Sequence, residues 1–305
     1  MKRNIPSRLR VAAVQMKFAP TIEGNLNRIE AALRSAARRH VDAVLFPECA
    51  TTGYAFDFGS LNPAKIRDAL NRVAAIAARY RLNVLIGSPM FRRGLLQNCL
   101  VVLDRAGRLI HCYAKCHLTE ADRRVFKPGN AVALFEIDGV TVTAIICHER
   151  RYPELVRLAV MAGARILFHA NAGLDSLRVS RQKRGGRDGI AVRAFENAIY
   201  YVFANSVGPQ SNGKWSAGDS KIVGPDGRCL RLADNQSETI IAADLDLTRA
   251  TGSYARESMA APHFLSAHWK RMVALVCRQA EQSRKRESVG SSGWSQPLKD
   301  GPPSV

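Results

Sequence analysis

Apolar strand-like runs alternate with amphipathic helical stretches along most of this chain, and that alternation constrains its fold more than any other feature. "RVAAVQM" (10–16) has the short apolar character of a buried strand, and "NLNRIEAALRSAARRH" (25–40) then places Leu26, Ile29, Leu33 and Ala37 at helical spacing. The pattern continues through a strand at 42–48, a helix at 66–81, and strands at 83–89, 99–104 and 109–115. Asp104, Gly107 and their charged neighbours predict a hairpin between the last two. The second half repeats the theme. Strand 140–149, helix 154–164 and strand 165–172 lead to a helix around 188–197 and strands at 198–208, 220–233 and 239–247. Helices interleaved with single strands and hairpins predict a layered α/β sandwich.

With 305 residues there is ample chain for one large core. The expected catalytic-size domain covers 9–262. Beyond it, 263–287 reads as an amphipathic helix with Leu265, Trp269, Met272, Leu275 and Val276 on one face, and the Ser/Gly/Pro-rich 288–305 reads as a disordered tail. No run approaches the roughly 20 apolar residues of a membrane span. The basic N-terminus has too short an apolar run for a signal peptide, and seven cysteines, an odd number, argue against a disulfide framework. These features point to the cytoplasm. Lys and Arg total 45 against 26 acids, a net charge of +19 that favours anionic partners of every kind. The arginines are nevertheless scattered and no nucleic-acid-binding signature accompanies them, so neither a specific nucleic acid nor a membrane is expected as partner.

"LIHCYAKCHL" (109–118) crowds His111, Cys112, Cys116 and His117 around Lys115, as a metal site would. In a strand, however, residues four apart lie roughly 13 Å apart. Zinc–sulfur bonds of about 2.3 Å cannot bridge Cys112 and Cys116 across that span. A turn at 112–116 would rescue the pair, but the alternating pattern argues against one, so no metal is expected. Lys115 is then the residue of interest, standing at a strand end where a sheet can aim it. "TVTAIICHERRYPELVRLA" brings Cys147 to the junction of a strand and a helix, where nearby backbone N–H groups can lower a thiol's pKa or bind an oxyanion. In "VLFPECATTGYAF", Glu48 ends another apolar strand, a setting in which a carboxylate can act as general base.

A carboxylate, an ammonium and a thiol at three strand ends, in the order Glu48, Lys115, Cys147, resemble the triad of the carbon–nitrogen hydrolase (nitrilase-like) superfamily. The glutamate motif is matched by Phe46-Pro47-Glu48 and Thr52-Gly53-Tyr54, the lysine motif by "YAKCHL" and "FKPG" (126–129). The cysteine motif is matched by Cys147, Glu149, Arg151, Tyr152, Pro153 and Glu154. "AFENAIYYVFANSVG" (194–208) and "SKIVGPDGRCL" (220–230) also resemble the family's later strands, so that the likeness covers about 9–250. It implies a four-layer α-β-β-α sandwich that forms a homodimer or higher homo-oligomer, with the helix at 263–287 covering or swapping across the interface. It also implies hydrolysis of a non-peptide carbon–nitrogen bond through a cysteine thioester, with no metal or organic cofactor. Many members carry a second glutamate between the lysine and the F-x-P-G segment. Here the spacing from Phe126 favours Asp122, although Glu120 is the better chemical match.

His148 occupies a position where relatives often have an aromatic residue or Asn, and its backbone N–H is placed to help Lys115 with an oxyanion. Arg150 and Arg151 resemble the tandem arginines of N-carbamoyl-D-amino-acid amidohydrolases, which implies a carboxylate-bearing substrate. For Arg151 the alternative is pairing with Glu149 or Glu154, and for Arg150 a solvated surface position. Asn171 is a further pocket candidate, and the basic, Gly-rich 177–189 reads as a loop that either attracts an anionic substrate or stays solvated. The expected substrate is a linear amide or N-carbamoyl compound. Nitrile hydrolysis on the same triad and a non-catalytic interaction protein on this fold are the alternatives.

Overall fold

A computed structural model describes residues 6–54, 57–182, 189–210, 213–260, 267–276 and 278. The first half runs β1 (Arg8–Gln15), α1 (Ile22–Arg38), β2 (Ala43–Leu45), α2 (Pro63–Tyr80), β3 (Asn83–Arg92), β4 (Leu95–Leu103) and β5 (Leu109–Ala114). A short α3 (Glu120–Arg123) leads to β6 (Phe135–Ile137), β7 (Val140–Ile146), α4 (Pro153–Met161) and β8 (Ile166–Asn171). Then follow α5 (Leu177–Gln182), α6 (Ile190–Phe195), β9 (Tyr200–Asn205), β10 (Val207–Pro209) and β11 (Trp215–Ala217). The fold ends with β12 (Lys221–Val223), β13 (Cys229–Leu232), β14 (Thr239–Asp246) and α7 (Ser253–Ala260).

Local chemistry explains the helix limits. The Thr21 hydroxyl accepts from Gly24 N at the start of α1, and the Asn62 side chain does the same for Ala64 N ahead of Pro63 in α2. Each helix buries one apolar stripe, Leu26, Ile29 and Leu33 in α1 and Ile66, Ala69 and Val73 in α2.

Among the described residues, two six-stranded sheets form, ordered β14-β1-β2-β3-β4-β5 and β13-β12-β9-β8-β7-β6. Each has three parallel strands at its centre, β1–β2–β3 in one and β7–β8–β9 in the other. Three cores order the layers. One fills the space between the sheets, with Val11, Leu45, Leu100, Ile146, Phe168 and Val202 among its members. A second lies between the first sheet and α1/α2, and a third between the second sheet and α4/α6. The architecture is therefore the expected α-β-β-α sandwich.

Several boundaries differ from expectation. β3 and β4 join in a long hairpin through Arg93 and Gly94, both at positive φ (52° and 76°), so β4 begins at Leu95 rather than 99. The expected strand 140–149 stops at Ile146, because Cys147–Arg151 wind into a 3-10 turn. Strand 220–233 breaks into the β12–β13 hairpin, and the expected loop 177–189 opens with α5, while 183–188 lie outside the described residues.

The chain divides into units Met1–Arg256 and Glu257–Val305. In the second, 267–276 is helical with Trp269, Met272, Val273, Leu275 and Val276 exposed. Residues 263–266, 279–287 and the tail 288–305 lie outside the described residues. No described helix is long and apolar enough to cross a membrane.

Candidate active site

Glu48 lies just past β2, on a segment pressed against β3. A Cβ on Gly87 would stand 2.3 Å from Pro47 O and 2.6 Å from Glu48 Cα, so only glycine lets β3 pass this close. The carboxylate is buried and every partner is a donor. Lys115 Nζ reaches Oε1 at 2.7 Å, Asn98 Nδ2 reaches the same oxygen at 2.8 Å, and Ala172 N reaches Oε2 at 3.2 Å.

Lys115 stands one residue beyond β5. The "FKPG" segment packs over this strand end: Gly129 N donates to Lys115 O at 2.8 Å, and a Cβ on Gly129 would meet Ala114 O at 2.2 Å. The ammonium, 1% exposed, bridges Glu48 and Asp122, whose Oδ2 is 2.8 Å away. Burial opposes its charge, but Glu48, a Cys147 thiolate and Asp122 together hold its pKa well above the ordinary lysine value.

Asp122 is thereby the second acid at the lysine. It is the third residue of a capping box in which Thr119 Oγ1 accepts from Asp122 N and Asp122 Oδ2 accepts from Thr119 N, both at 3.1 Å. Glu120 points to solvent with its side chain 89% exposed and pairs with Arg124, so this candidate does not reach Lys115.

Cys147 follows β7 with φ +49°, a left-handed conformation that costs a non-glycine residue energy and turns its side chain out of the strand. The thiol is pushed up to about 12 by burial first and by the Glu48 carboxylate second, with Lys115 and the Ala172 N–H working the other way. The turn is fixed by Glu149, fully buried two residues on. Its Oε2 accepts from Ile146 N (2.8 Å), and its Oε1 from Tyr113 OH (2.7 Å), Cys116 N (2.6 Å) and His117 N (3.2 Å). Glu149 thus ties the end of β5 to the Cys147 turn. Burial raises its carboxyl above the ordinary range, while these hydrogen bonds pull it down.

A cavity of about 620 Å³ opens on Glu48, Lys115, Asp122 and Cys147. His148, Arg150, Arg151 and Asn171 also line it. Arg150 is half-buried and Arg151 exposed, and neither makes an ion pair among the described residues; of the two suggested partners of Arg151, Glu149 and Glu154, the first is committed to backbone donors and Tyr113. Burial, Lys115 and Arg151 lower the His148 imidazole below its ordinary pKa. Asn171 is a wall residue whose Nδ2 donates to Asn205 Oδ1 at 2.8 Å and whose carbonyl accepts from Glu48 N. The four residues flanking Lys115 disperse. His111 stacks on Phe135, Cys112 meets Met90 Sδ at 3.5 Å, Cys116 meets Ala131 O at 3.2 Å, and His117 stacks on Tyr152.

Sequence reading passed over Asn98, Tyr113 and the role of Glu149. Asn98 lies in β4, and only a strand beginning at 95 would have placed it opposite the Glu48 loop.

Known proteins resemble this chain. The carbon-nitrogen hydrolase family profile matches residues 10–254. A probable nitrilase of Schizosaccharomyces pombe is 28% identical over 79% of this chain and 89% of its own. The 2-oxoglutaramate amidase of Bacillus subtilis is 29% identical over 72% and 83%. The solved structure of a nitrilase-superfamily amidase from Nesterenkonia AN1 superposes with a TM-score of 0.74 at 23% identity, covering 87% of this chain and 99% of that one, and shares its fold. The match over nearly all of the two-sheet unit settles the assignment: the chain belongs to the carbon–nitrogen hydrolase family.

Proposed function

We propose that Cys147 is the nucleophile, Glu48 the general base and acid, and Lys115 the fixed positive charge in hydrolysis of a linear amide or N-carbamoyl group. The observation carrying this reading is the convergence of all three on one cavity, with Glu48 hydrogen-bonded to the ammonium and its charge acting on the thiol. A thiol at about 12 keeps its proton at rest, so attack requires a base in contact. Glu48 takes that proton as Sγ bonds to the carbonyl carbon, and the oxyanion faces Lys115 and the His148 N–H. Collapse breaks the carbon–nitrogen bond, and Glu48 returns the proton to the departing ammonia or amine. Glu48 then deprotonates a water that attacks the thioester, releasing the acid and restoring the thiol. Asp122 holds Lys115 in place. None of these steps calls on a metal or organic cofactor.

Arg150 and Arg151 on the cavity wall support a substrate bearing a carboxylate. The relatives named as amidases support amides ahead of nitriles. Ammonia release across primary amides, N-carbamoyl amino acids and nitriles tests the reading. Release from one of the first two classes is expected, abolished in Cys147→Ala, with Arg150→Ala raising KM about tenfold or more for carboxylate-bearing substrates alone. Turnover surviving in Cys147→Ala, or no turnover in any class, overturns it.

The reading extends to a homo-oligomer in the cytoplasm. Leu158, Val192, Phe195 and Tyr254 are exposed on the outer helices α4, α6 and α7, which supports a self-complementary apolar face. The six cysteines found among the described residues are free, as suits a reducing compartment. Sedimentation should give a dimer or larger species that Phe195→Glu shifts toward monomer, and a monomeric wild type refutes this part.

A further inference from the structure

His169 has no part in the chemistry above, yet it grips the nucleophile's own peptide. It belongs to β8 and faces the helical layer, where its strand neighbours Ile145 and Phe203 belong to the core beneath α4 and α6. The side chain is fully buried. Its Nε2 lies 3.1 Å from the Cys147 carbonyl oxygen and its Nδ1 lies 2.8 Å from the Tyr201 hydroxyl. A carbonyl oxygen can only accept, so Nε2 carries the hydrogen, and in the neutral ring Nδ1 accepts from Tyr201. The bonds therefore run in one direction, from Tyr201 O–H through the imidazole to Cys147 C=O. The Phe203 ring, 4.9 Å from the imidazole centre, packs against the ring and limits its rotation.

The Cys147 carbonyl shares a planar trans peptide with the His148 N–H, and in such a unit the two point in opposite directions. Holding the carbonyl toward His169 fixes the direction of that N–H. The grip acts on a residue at φ +49°, whose strained backbone has a lower-energy arrangement available unless its surroundings forbid it. We propose that His169, oriented by Tyr201, is a positioning residue for oxyanion stabilisation, keeping the His148 N–H aimed at the charge that develops on the substrate. The proposal rests on the reading of Cys147 as nucleophile.

Two reactions of the same thiol separate this role from general support. Amide hydrolysis develops an oxyanion. Alkylation by iodoacetamide does not: sulfur displaces iodide at a saturated carbon, forming one S–C bond as the C–I bond breaks, while the thiol proton goes to Glu48. In the full chain, His169→Phe is expected to lower kcat about 30-fold, since a misaimed donor loses part of the value of a deleted one. KM and the alkylation rate should stay within about threefold. Tyr201→Phe, which removes a single oxygen and keeps the packing, should lower kcat about fivefold by freeing the ring. His169→Gln, whose amide nitrogen can donate where Nε2 does, should recover most of the loss. The proposal is overturned if turnover and alkylation fall together, if Gln is no better than Phe, or if kcat is unchanged in both His169→Phe and Tyr201→Phe. Turnover that persists in Cys147→Ala, run alongside, identifies failure of the nucleophile assignment itself.

Discussion

Lys115→Met is expected to abolish amide turnover, by about 10³-fold or more, and to destabilise the fold by about 3–5 kcal/mol. The second loss follows from the geometry. The ammonium sits between Glu48 and Asp122 with all three side chains buried, and removing it leaves two carboxylates facing one another without a counter-charge. The destabilisation should be larger at pH 8 than at pH 5, because protons relieve a carboxylate pair as acidity rises. Lys115 itself, held above the usual lysine value, is charged in the folded and the unfolded chain throughout this window, so its own ion pairing is constant there and the pH dependence belongs to the variant. Denaturant unfolding of both proteins at the two pH values measures this. Equal losses at both, or a variant as stable as wild type, would mean the ammonium does not hold the carboxylates together.

Glu149→Gln should act on stability almost as strongly, by about 3 kcal/mol, although the change is nearly isosteric. One carboxylate oxygen serves three donors and the other serves Ile146 N. If the glutamine oxygen faces the three donors, its NH2 group is forced against the Ile146 N–H. The opposite orientation sets that NH2 against Tyr113, Cys116 and His117. Since this side chain joins the Lys115 strand end to the Cys147 turn, turnover should fall along with stability. Thermal unfolding within about 2 °C of wild type would show the carboxylate to be dispensable.

These two sites illustrate what the sequence discloses and what it conceals. Layer order and the three strand-end groups were legible, because buried strands, amphipathic helices and the Glu48, Lys115 and Cys147 motifs are local patterns. The choice between Asp122 and Glu120 was legible only through spacing, which favoured Asp122, because it depends on which of two acids occupies the capping position of a single helical turn. Asn98 stayed hidden behind a hairpin turn at Arg93-Gly94, too charged to look like the inside of a strand pair. Glu149 read as a member of the cysteine motif and a candidate partner of Arg151, and only the fold brings four donors from two segments to it. His169 and Tyr201 sat in apolar runs where a polar side chain looks like filler, and their partners lie on neighbouring strands.

The two sheets contribute different halves of the site. Glu48 and Lys115 come from strand ends of the first, Cys147 and Ala172 from strand ends of the second, and the apolar layer between the sheets sets the spacing at which the carboxylate and the sulfur meet. That layer is rich in alanine, with Ala13, Ala43, Ala144, Ala170 and Ala204 among its members. Its thickness works like a machinist's gauge: one methylene of extra filling would shift the carboxylate relative to the sulfur, and a misplacement of about 1 Å can cost about 10²-fold in rate. The tolerances of the reaction are thus written into hydrocarbon, and residues that never meet the substrate are held to the dimensions the chemistry requires.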